Sequence, residues 1–217
     1  DLAQVYERRS YIYDSFREEK VERRHAKGQR TARENIDQLL DEGTFKEFGP
    51  LVTAGSWQKQ QWLRETTPTD GMIMGIGGVN GDKFDPDRAR VVVAHYDYMV
   101  VAGTQGGRGH YKQDRMYELA HRYQLPVILF AEGGGGRPGD TGREGGVGFD
   151  NYTFTQFAKL SGRVPMVGVT SGRCFAGNTA LLACCDVIIA TENSTIAMGG
   201  PAMIEGGGLG IYTPEEV

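Results

Sequence analysis

Short apolar runs alternate with amphipathic helical patterns through the second half of the chain. Residues 126–130 and 164–170 are apolar and rich in β-branched residues, which is typical of strands buried on both faces. Residues 110–123, 151–160 and 176–185 carry apolar side chains at helical spacing, and the last segment is apolar on nearly every side. Strands and helices that alternate through short links predict an α/β fold with a mostly parallel sheet and right-handed crossovers.

Two apolar segments before this alternation predict a pair of successive strands. They span residues 70–81 and 89–103, and we expect residues 85–88 to join them in a turn. In open parallel sheets, ligands bind beyond the carboxyl ends of the strands. The glycine-rich segments that follow residues 126–130 and 164–170 are therefore the first places to look for a site.

The first 49 residues are predicted to form a helical, basic N-terminal segment. Residues 2–27 carry a charged helical pattern with four aromatic side chains as apolar anchors, namely Tyr6, Tyr11, Tyr13 and Phe16. Thr31 and Glu34 have the capping-box spacing that begins a further helix. Six basic residues stand against the single acid Glu22 between residues 20 and 33: Lys20, Arg23, Arg24, Lys27, Arg30 and Arg33. This stripe fits either a small polyanionic ligand or a solvated helical face, and it lacks the interleaved aromatic residues of a nucleic-acid site.

Composition narrows the class of protein. A hydrophobic content of 39%, a charged content of 24% and a net charge of −4 describe a globular chain, and no apolar run approaches a membrane span. Three cysteines without metal-ligand spacing indicate a reducing, cytoplasmic location and predict no metal site. The chain begins at Asp1 and ends just after a glycine run, so we expect it to be a fragment of a longer protein.

The two glycine-containing loops are the candidates for chemistry. The first loop (residues 131–140, AEGGGGRPGD) has four consecutive glycines, and the second loop (residues 171–178) reads SGRCFAGN. Main-chain N–H groups without neighbouring side chains can face a developing negative oxygen at a strand end. A flexible surface loop is the alternative, mainly for residues 139–149.

Familiar catalytic motifs do not fit these loops. Gly134, Gly136 and Gly139 match G-x-G-x-x-G, but no helix is predicted to follow them. Thr170 stands where a nucleophile elbow needs serine, and no H-E-x-x-H or P-loop lysine occurs. His110 follows a predicted strand, and Glu132 is the only acid next to the glycines. A reaction whose base comes from a partner, such as enolate formation from a thioester, agrees best with this pattern.

Several motifs resemble one enzyme family. HAKGQRTARENIDQLLDEGTFKEFG at residues 25–49 is similar to the opening signature K-x-T-A-R-E-R-I-x-x-L-L-D-x-G-S-F of the carboxyltransferase subunits of biotin-dependent acyl-CoA carboxylases. GMIMGIGGVNG resembles the first strand pair of that family, and VAGTQGGRGHYKQDRMYELA resembles its G-G-S-x-x-x-x-H-x-x-K segment. The resemblance covers most of residues 20–200 and corresponds to the N-terminal half of the family.

Both loops take part in the resemblance. The family segment D-S-G-G-A-R-I-Q-E-G falls on the first loop, where Gly134, Gly135, Gly136 and Arg137 match its G-G-A-R. The segment G-P-C-A-G-G-A falls on residues 172–178, with Ala176 in place of one glycine and Gly177 in place of the other. The resemblance implies a crotonase (ClpP-like) fold, a ββα superhelix, in which the amides of Ala176 and Gly177 stabilise the thioester enolate. It also implies that Gly134–Gly136 line the same pocket.

The resemblance implies partners and a division of the chain as well. Residues 50–217 would form a crotonase-like N-domain after the basic segment 1–49, and a carboxyltransferase C-domain of another subunit would complete the site. A carboxyl group would pass from carboxybiotin, on a biotin carboxyl carrier domain, to the α-carbon of an acyl-CoA. We expect Lys27, Arg30 and Arg33 to hold the CoA phosphates, and we expect a homo-oligomer without nucleic-acid or membrane partners.

The chain also departs from the family pattern. Pro138 and Gly139 replace Ile-Gln, Arg173 replaces a proline, and MGGPAMIEGGGLG near the end resembles the long single-chain, multidomain acyl-CoA carboxylases. Three alternatives remain open. They are an acyl-CoA decarboxylase of the same family, another crotonase-like CoA enzyme that uses a carboxylate such as Glu132, and a non-catalytic interaction domain.

Overall fold

The computed structural model describes residues 1–55, 59–137, 139–140, 151–213 and 216. Its helices are α1 (Leu2–Ser10), α2 (Glu18–His25), α3 (Ala32–Leu39), α4 (Gln61–Thr66), α5 (Pro86–Ala89), α6 (Gly107–Tyr123), α7 (Thr153–Ala158), α8 (Ala176–Leu182) and α9 (Pro201–Gly206). Its strands are β1 (Lys46–Glu47), β2 (Met72–Gly78), β3 (Arg90–Tyr96), β4 (Val127–Phe130), β5 (Gly133–Gly134), β6 (Met166–Thr170), β7 (Arg173–Phe175), β8 (Val187–Ala190) and β9 (Thr195–Ala197). Short 3-10 turns lie at Asp14–Phe16 and Val101–Gly103.

The larger sheet has the order β1-β2-β3-β4-β6-β8. The pairs β1–β2 and β2–β3 are antiparallel, whereas β3, β4, β6 and β8 run parallel. The predicted strand pair is thus β2 and β3, but their link contains the one-turn helix α5 instead of a simple turn. Asp85 begins that helix, since its side chain accepts hydrogen bonds from the main-chain N–H groups of Asp87 and Arg88. The predicted α/β class with a mostly parallel sheet is confirmed.

A second, three-stranded sheet has the order β5-β7-β9 and is parallel throughout. Each of its strands follows a strand of the larger sheet after a few residues, so that β4-β5, β6-β7 and β8-β9 form three consecutive pairs. Helices α7, α8 and α9 follow these pairs, which gives a repeated ββα unit. Because β5 belongs to the first loop and β7 to the second, this small sheet holds the two loops side by side.

The core lies on both faces of the larger sheet. One face packs against the helices α6, α7 and α8 through a cluster that includes Met116, Tyr117, Phe157 and Leu181. Helix α3 covers the other face, where Ile36 packs with residues of β2 and β3. The described helices include none that is both long and apolar enough to cross a lipid bilayer.

The N-terminal segment differs from its predicted form. The helical pattern of residues 2–27 is divided into α1, a 3-10 turn and α2. The four predicted aromatic anchors are exposed, with exposed fractions from 40% to 61%, and the buried apolar residue of this region is Ile12. The segment is held mainly by polar contacts, including a buried ion pair between Arg17 and Asp97.

Candidate functional site

The glycines of the first loop allow close packing of main chains. Gly133 and Gly134 have φ values of +75° and +148°, a region that L side chains rarely adopt. A Cβ atom on Gly134 would lie 2.0 Å from the carbonyl oxygen of Phe175, and one on Gly133 would lie 2.0 Å from that of Ala102. Neither contact leaves room for a side chain, because the obstructing atoms belong to the backbone. Gly134 thus brings the first loop into contact with the second, and Gly133 brings it against the 3-10 turn that contains Ala102.

The second loop ends in the first turn of helix α8. Ala176 and Gly177 are the first two residues of this helix, and Phe175 precedes them as the N-cap. N–H groups at these positions have no helical carbonyl four residues earlier to accept their hydrogen bonds. Since Gly134 pairs with Phe175 in the small sheet, Ala176 and Gly177 begin directly beside the first loop. The sequence-predicted glycines and the sequence-predicted amides therefore lie next to each other.

Arg137 fixes the end of the first loop. Its side chain is fully buried, and its guanidinium donates to the carbonyl oxygens of Asp70 (2.6 Å) and Thr104 (2.9 Å). It also forms an ion pair with Asp140 at 3.2 Å. The arginine that matches the family segment thus has a structural role in the loop. Pro138 and residues 141–150, which include most of the proposed flexible segment, lie outside the described residues.

Glu132 is committed to an ion pair at the start of the first loop. Its two carboxylate oxygens accept hydrogen bonds from Arg24 at 2.6 and 2.9 Å, and both side chains are buried. Burial raises the pKa of the Glu132 carboxyl above its ordinary value, and the Arg24 guanidinium opposes this shift. A carboxylate held in this way has a structural partner, which weighs against Glu132 as the acid or base of a hydratase.

The basic stripe does not form one solvated face. Arg24 is buried, and the guanidinium of Arg33 bonds the Ile12 carbonyl oxygen (2.9 Å) and the Glu47 carboxylate (3.1 and 3.2 Å). Lys27 and Arg30 are exposed. Of the three residues predicted to hold phosphates, these two present their side chains to solvent, whereas Arg33 is only partly exposed.

Two of the histidines, His95 and His110, have pKa values lowered by burial. Burial lowers the pKa of His95 to about 4, and the ring stacks on Phe130 with a centroid distance of 4.6 Å. Burial likewise lowers the pKa of His110 to about 4, and this ring bonds Thr153 (3.0 Å) and Asn151 (3.2 Å). Neither ring is protonated near pH 7. The residues that the structure describes include no cluster of three or more His, Cys, Asp or Glu that could hold a metal ion.

The second loop is supported by side chains that sequence reasoning did not single out. Thr179 Oγ1 lies 2.7 Å from the carbonyl oxygen of Cys174 and 3.0 Å from that of Ala197, which links β7, α8 and β9.

The main chain of Gln105 bridges to the first loop, with its N–H 2.8 Å from the Gly135 oxygen and its carbonyl oxygen 2.7 Å from the Arg137 nitrogen. A lone glutamine between a strand and a helix has the same sequence signature as a surface residue, so no pattern pointed to it.

Comparison with known proteins identifies a family. A sequence model described as the carboxyl transferase domain matches residues 23–216. The methylmalonyl-CoA carboxyltransferase 12S subunit of Propionibacterium freudenreichii subsp. shermanii is 29% identical over 211 residues, which are 94% of this chain and 37% of the relative. The acetyl-/propionyl-coenzyme A carboxylase beta5 subunit of Mycobacterium tuberculosis is 31% identical over 208 residues, with coverage of 94% and 36%. This chain therefore spans well under half the length of such relatives.

Solved structures similar to this chain come from related enzymes. A single-chain, multi-domain long-chain acyl-CoA carboxylase superimposes with a TM-score of 0.91 and 54% identity, covering all of this chain and 22% of the other. The transcarboxylase 12S structure, a hexamer assembly, superimposes with a TM-score of 0.80 and 28% identity over 99% of this chain and 39% of the other. A malonate decarboxylase at 20% identity and a TM-score of 0.64 shares the fold.

Proposed function

This chain belongs to the carboxyl transferase domain family, and from that membership we propose that it forms the acyl-CoA-binding half of a biotin-dependent carboxyltransferase. The reaction adds a carboxyl group to the α-carbon of an acyl-CoA by way of an enolate. The observation that carries the proposal is the contact between the two loops, since Gly134 pairs with Phe175 immediately before Ala176 and Gly177. Oxyanion stabilisation needs main-chain donors at such a position, without a reactive side chain.

The residues of this chain act on the thioester. The N–H groups of Ala176 and Gly177 donate to the enolate oxygen, and one well-placed donor of this kind is worth about 3–4 kcal/mol in a dry site. Gly134, Gly135 and Gly136 form the adjoining wall. Among the described residues, a Cβ atom on Gly135 would meet nothing within 4 Å, which supports placing a group of the partner against this wall. Carboxybiotin, when bound there, would supply the carboxyl group as CO2, and the ureido nitrogen left behind would supply the base for the α-proton.

The basic segment is the proposed site for the CoA phosphates. Arg24 connects this segment to Glu132 of the first loop, and a Cβ atom on Gly172 would lie 3.0 Å from Gln29 Nε2. The turn that carries Lys27 and Arg30 therefore lies beside both loops. Because Arg33 is bound to Glu47, we assign it the smaller share of phosphate binding. Arg30→Ala should weaken CoA binding and reduce the salt dependence of that binding more than Arg33→Ala does. Equal affinity for CoA in both variants and in the unaltered chain would refute the assignment.

Our proposals for the substrate and partners are supported by the similar proteins described above. We propose a long-chain acyl-CoA as substrate, because the similar structure with 54% identity is that of a long-chain acyl-CoA carboxylase. We also propose a biotin carboxyl carrier domain and the carboxyltransferase C-domain of another subunit as partners, in a cytoplasmic homo-oligomer. Residues 1–49 and 50–217 remain our proposed division into a basic segment and a crotonase-like N-domain.

Calorimetry on the 217-residue chain tests the proposal. We expect binding of lauroyl-CoA, held below its micelle concentration, to exceed that of propionyl-CoA and acetyl-CoA, with free CoA as the reference for the phosphate contribution. We also expect no carboxylation until the partner components are added. Absence of binding to every CoA ester would favour an interaction domain and overturn the proposal. Turnover by the chain alone, abolished by Glu132→Gln, would favour a hydratase-like enzyme instead.

A further inference from the structure

A buried amide side chain follows directly after the second loop's two donor residues. Asn178 is the third residue of α8 and is fully buried. Its Nδ2 donates to the carbonyl oxygens of Glu132 (2.8 Å) and Gly103 (3.1 Å), and its Oδ1 accepts from Gln105 Nε2 (2.7 Å). Each polar atom of this amide therefore has a protein partner. One side chain connects α8 to the start of the first loop and to the turn after β3.

Gln105 contacts the first loop and helix α8 at the end of the second loop. Its main chain holds the first loop through Gly135 and Arg137, while its Nε2 holds Asn178. A Cβ atom placed on Gly177 would lie 2.9 Å from Gln105 Oε1, so the glutamine side chain packs directly against that residue. Any displacement of Gln105 changes the separation between the first loop and the N–H groups of the second.

The direction of each hydrogen bond in this network is fixed from outside the loops. Gln113 Nε2 donates to the Gly109 carbonyl oxygen, which turns Gln113 Oε1 towards the Tyr96 hydroxyl at 3.0 Å. Tyr96 donates its only proton there, so its oxygen accepts from Gln105 Nε2 at 2.8 Å. The second Nε2 proton of Gln105 then faces Asn178 Oδ1, and the Asn178 NH₂ group faces the two carbonyls.

We propose that Gln105 and Asn178 are positioning residues that set the distance between the enolate-binding amides of Ala176–Gly177 and the wall formed by the first loop. This inference rests on the proposed carboxyltransferase function. It also concerns a feature of this chain, because Asn178 stands where the family segment G-P-C-A-G-G-A has alanine. The buried carbonyls of Glu132 and Gly103 need donors, so the orientation of Asn178 is energetically coupled to the position of both loops.

Asn178→Asp in the complete, assembled carboxylase tests the inference, with kcat and KM for acyl-CoA carboxylation measured between pH 6 and 9. At high pH the ionised carboxylate has no proton to donate to the two carbonyls. We expect kcat to fall by about tenfold or more there, with KM within about threefold. At lower pH the buried carboxyl takes up a proton and donates to one carbonyl, so part of the lost kcat should return relative to the unaltered enzyme.

Controls separate positioning from a general loss of structure. Gln38→Glu introduces the same charge change at an exposed amide of α3 and should keep the unaltered pH profile. Asn178→Ala should lose kcat without recovery at low pH, and Gln105→Glu should repeat the pH-dependent loss from the other end of the pair. Unaltered kcat in folded Asn178→Asp and Gln105→Glu across the pH range would overturn the inference while leaving the proposed function intact. Failure of the unaltered enzyme to bind or carboxylate an acyl-CoA would instead overturn the proposed function.

Discussion

The two loops use small residues for different physical reasons. In the first loop, Gly133 and Gly134 adopt φ values reserved for glycine, and neighbouring carbonyl groups occupy the space of a side chain. In the second loop, Gly177 has an ordinary backbone conformation, and the nearest atoms to its Cβ position belong to the tips of the Gln105 and Phe154 side chains. The first loop therefore depends on glycine for its packing, whereas the second depends on glycine for access to its N–H groups.

The supports of the two loops differ as well. Charged side chains hold the first loop, namely the Arg24–Glu132 pair at its start and Arg137 near its end. Neutral side chains hold the second loop. Asn178 donates to the Glu132 carbonyl oxygen of the first loop, and Thr179 donates to the Cys174 carbonyl oxygen. Damage to the first loop should therefore appear mainly in stability and should depend on pH, while damage to the second should appear mainly in turnover.

Removal of Arg24 should have the largest effect. Arg24→Met leaves the buried Glu132 carboxylate without its partner, which typically costs about 3–5 kcal/mol in the free energy of unfolding. Loss of Arg24 removes the influence that opposes the raised pKa of Glu132, so that pKa rises further. The folded variant then binds more protons than its unfolded form above about pH 4.5, so its stability should fall as the pH increases. Urea unfolding at pH 5 and pH 8 measures both effects.

Arg23→Met is the matched control for this prediction. Arg23 precedes Arg24 in α2, and its pair with Glu19 is largely exposed on both sides. Such a pair contributes little, typically below about 1 kcal/mol. Equal losses in the two variants would show that the basic stripe acts as a uniform charged surface and not through one buried pair.

Gly134→Ala should have the next largest effect. Its Cβ would collide with the Phe175 carbonyl oxygen at a φ of +148°, so the two loops would have to separate. We expect a loss of more than about 2 kcal/mol in the free energy of unfolding, measured by urea denaturation. Gly135→Ala is the control, since its φ is also positive at +79° but its Cβ would meet no atom of the described residues within 4 Å. A loss at Gly135 as large as at Gly134 would mean that backbone strain alone, and not the contact between loops, restricts the first loop to glycine.

Gly177→Ala should affect turnover more than stability. The added Cβ would lie 2.9 Å from Gln105 Oε1 and 3.0 Å from Phe154 Cζ, both of which are side-chain tips that can move. We expect a loss of about 1 kcal/mol in stability but a fall in kcat of about tenfold, because Gln105 also holds the first loop. Gly199→Ala, where a Cβ would have no neighbour within 4 Å in the part of the chain that the structure describes, should leave both unchanged. An unaltered kcat in Gly177→Ala would contradict the role assigned to Gln105 in spacing the two loops.

The alternation of strands and helices was predictable because it depends on local periodicity. The ββα repeat was implied only by the family resemblance, since its short strands β5, β7 and β9 were not predicted from periodicity. The capping box at Thr31 and Glu34 was also predictable, and both of its hydrogen bonds are present. The roles of Arg24 and Arg33 were not predictable, since a run of positive charges does not reveal distant partners such as Glu132, which is 108 residues away. The aromatic anchors of the N-terminal segment were predicted wrongly, because aromatic character does not show which surface is covered.

The candidate site was predictable only where backbone chemistry fixes the residue type. The glycine run and the A-G pair at residues 176–177 are visible in the sequence, and their adjacency follows from the parallel strands before them. Gln105 and Asn178 were missed because neutral amides are mostly exposed in proteins, so nothing in the sequence marked these two as buried. Whether an amide is buried depends on tertiary contacts, here with carbonyl groups of two other segments.

Ala176→Gly should have the smallest effect on the free energy of unfolding. The expected gain in stability distinguishes the second loop from the first, where the change at Gly134 should destabilise. Ala176 has a φ of +52°, a left-handed conformation that costs an alanine about 1–2 kcal/mol and a glycine almost nothing. The greater freedom of glycine in the unfolded chain offsets about 0.4–1 kcal/mol of that gain. We therefore expect a stabilisation of up to about 1 kcal/mol in urea unfolding with kcat within twofold, because the N–H group stays in place. Ala180→Gly, within the same helix, should instead lose about 1 kcal/mol. Destabilisation of both variants alike would mean that Ala176 is not held in the left-handed conformation and that α8 behaves as an ordinary helix from its first residue.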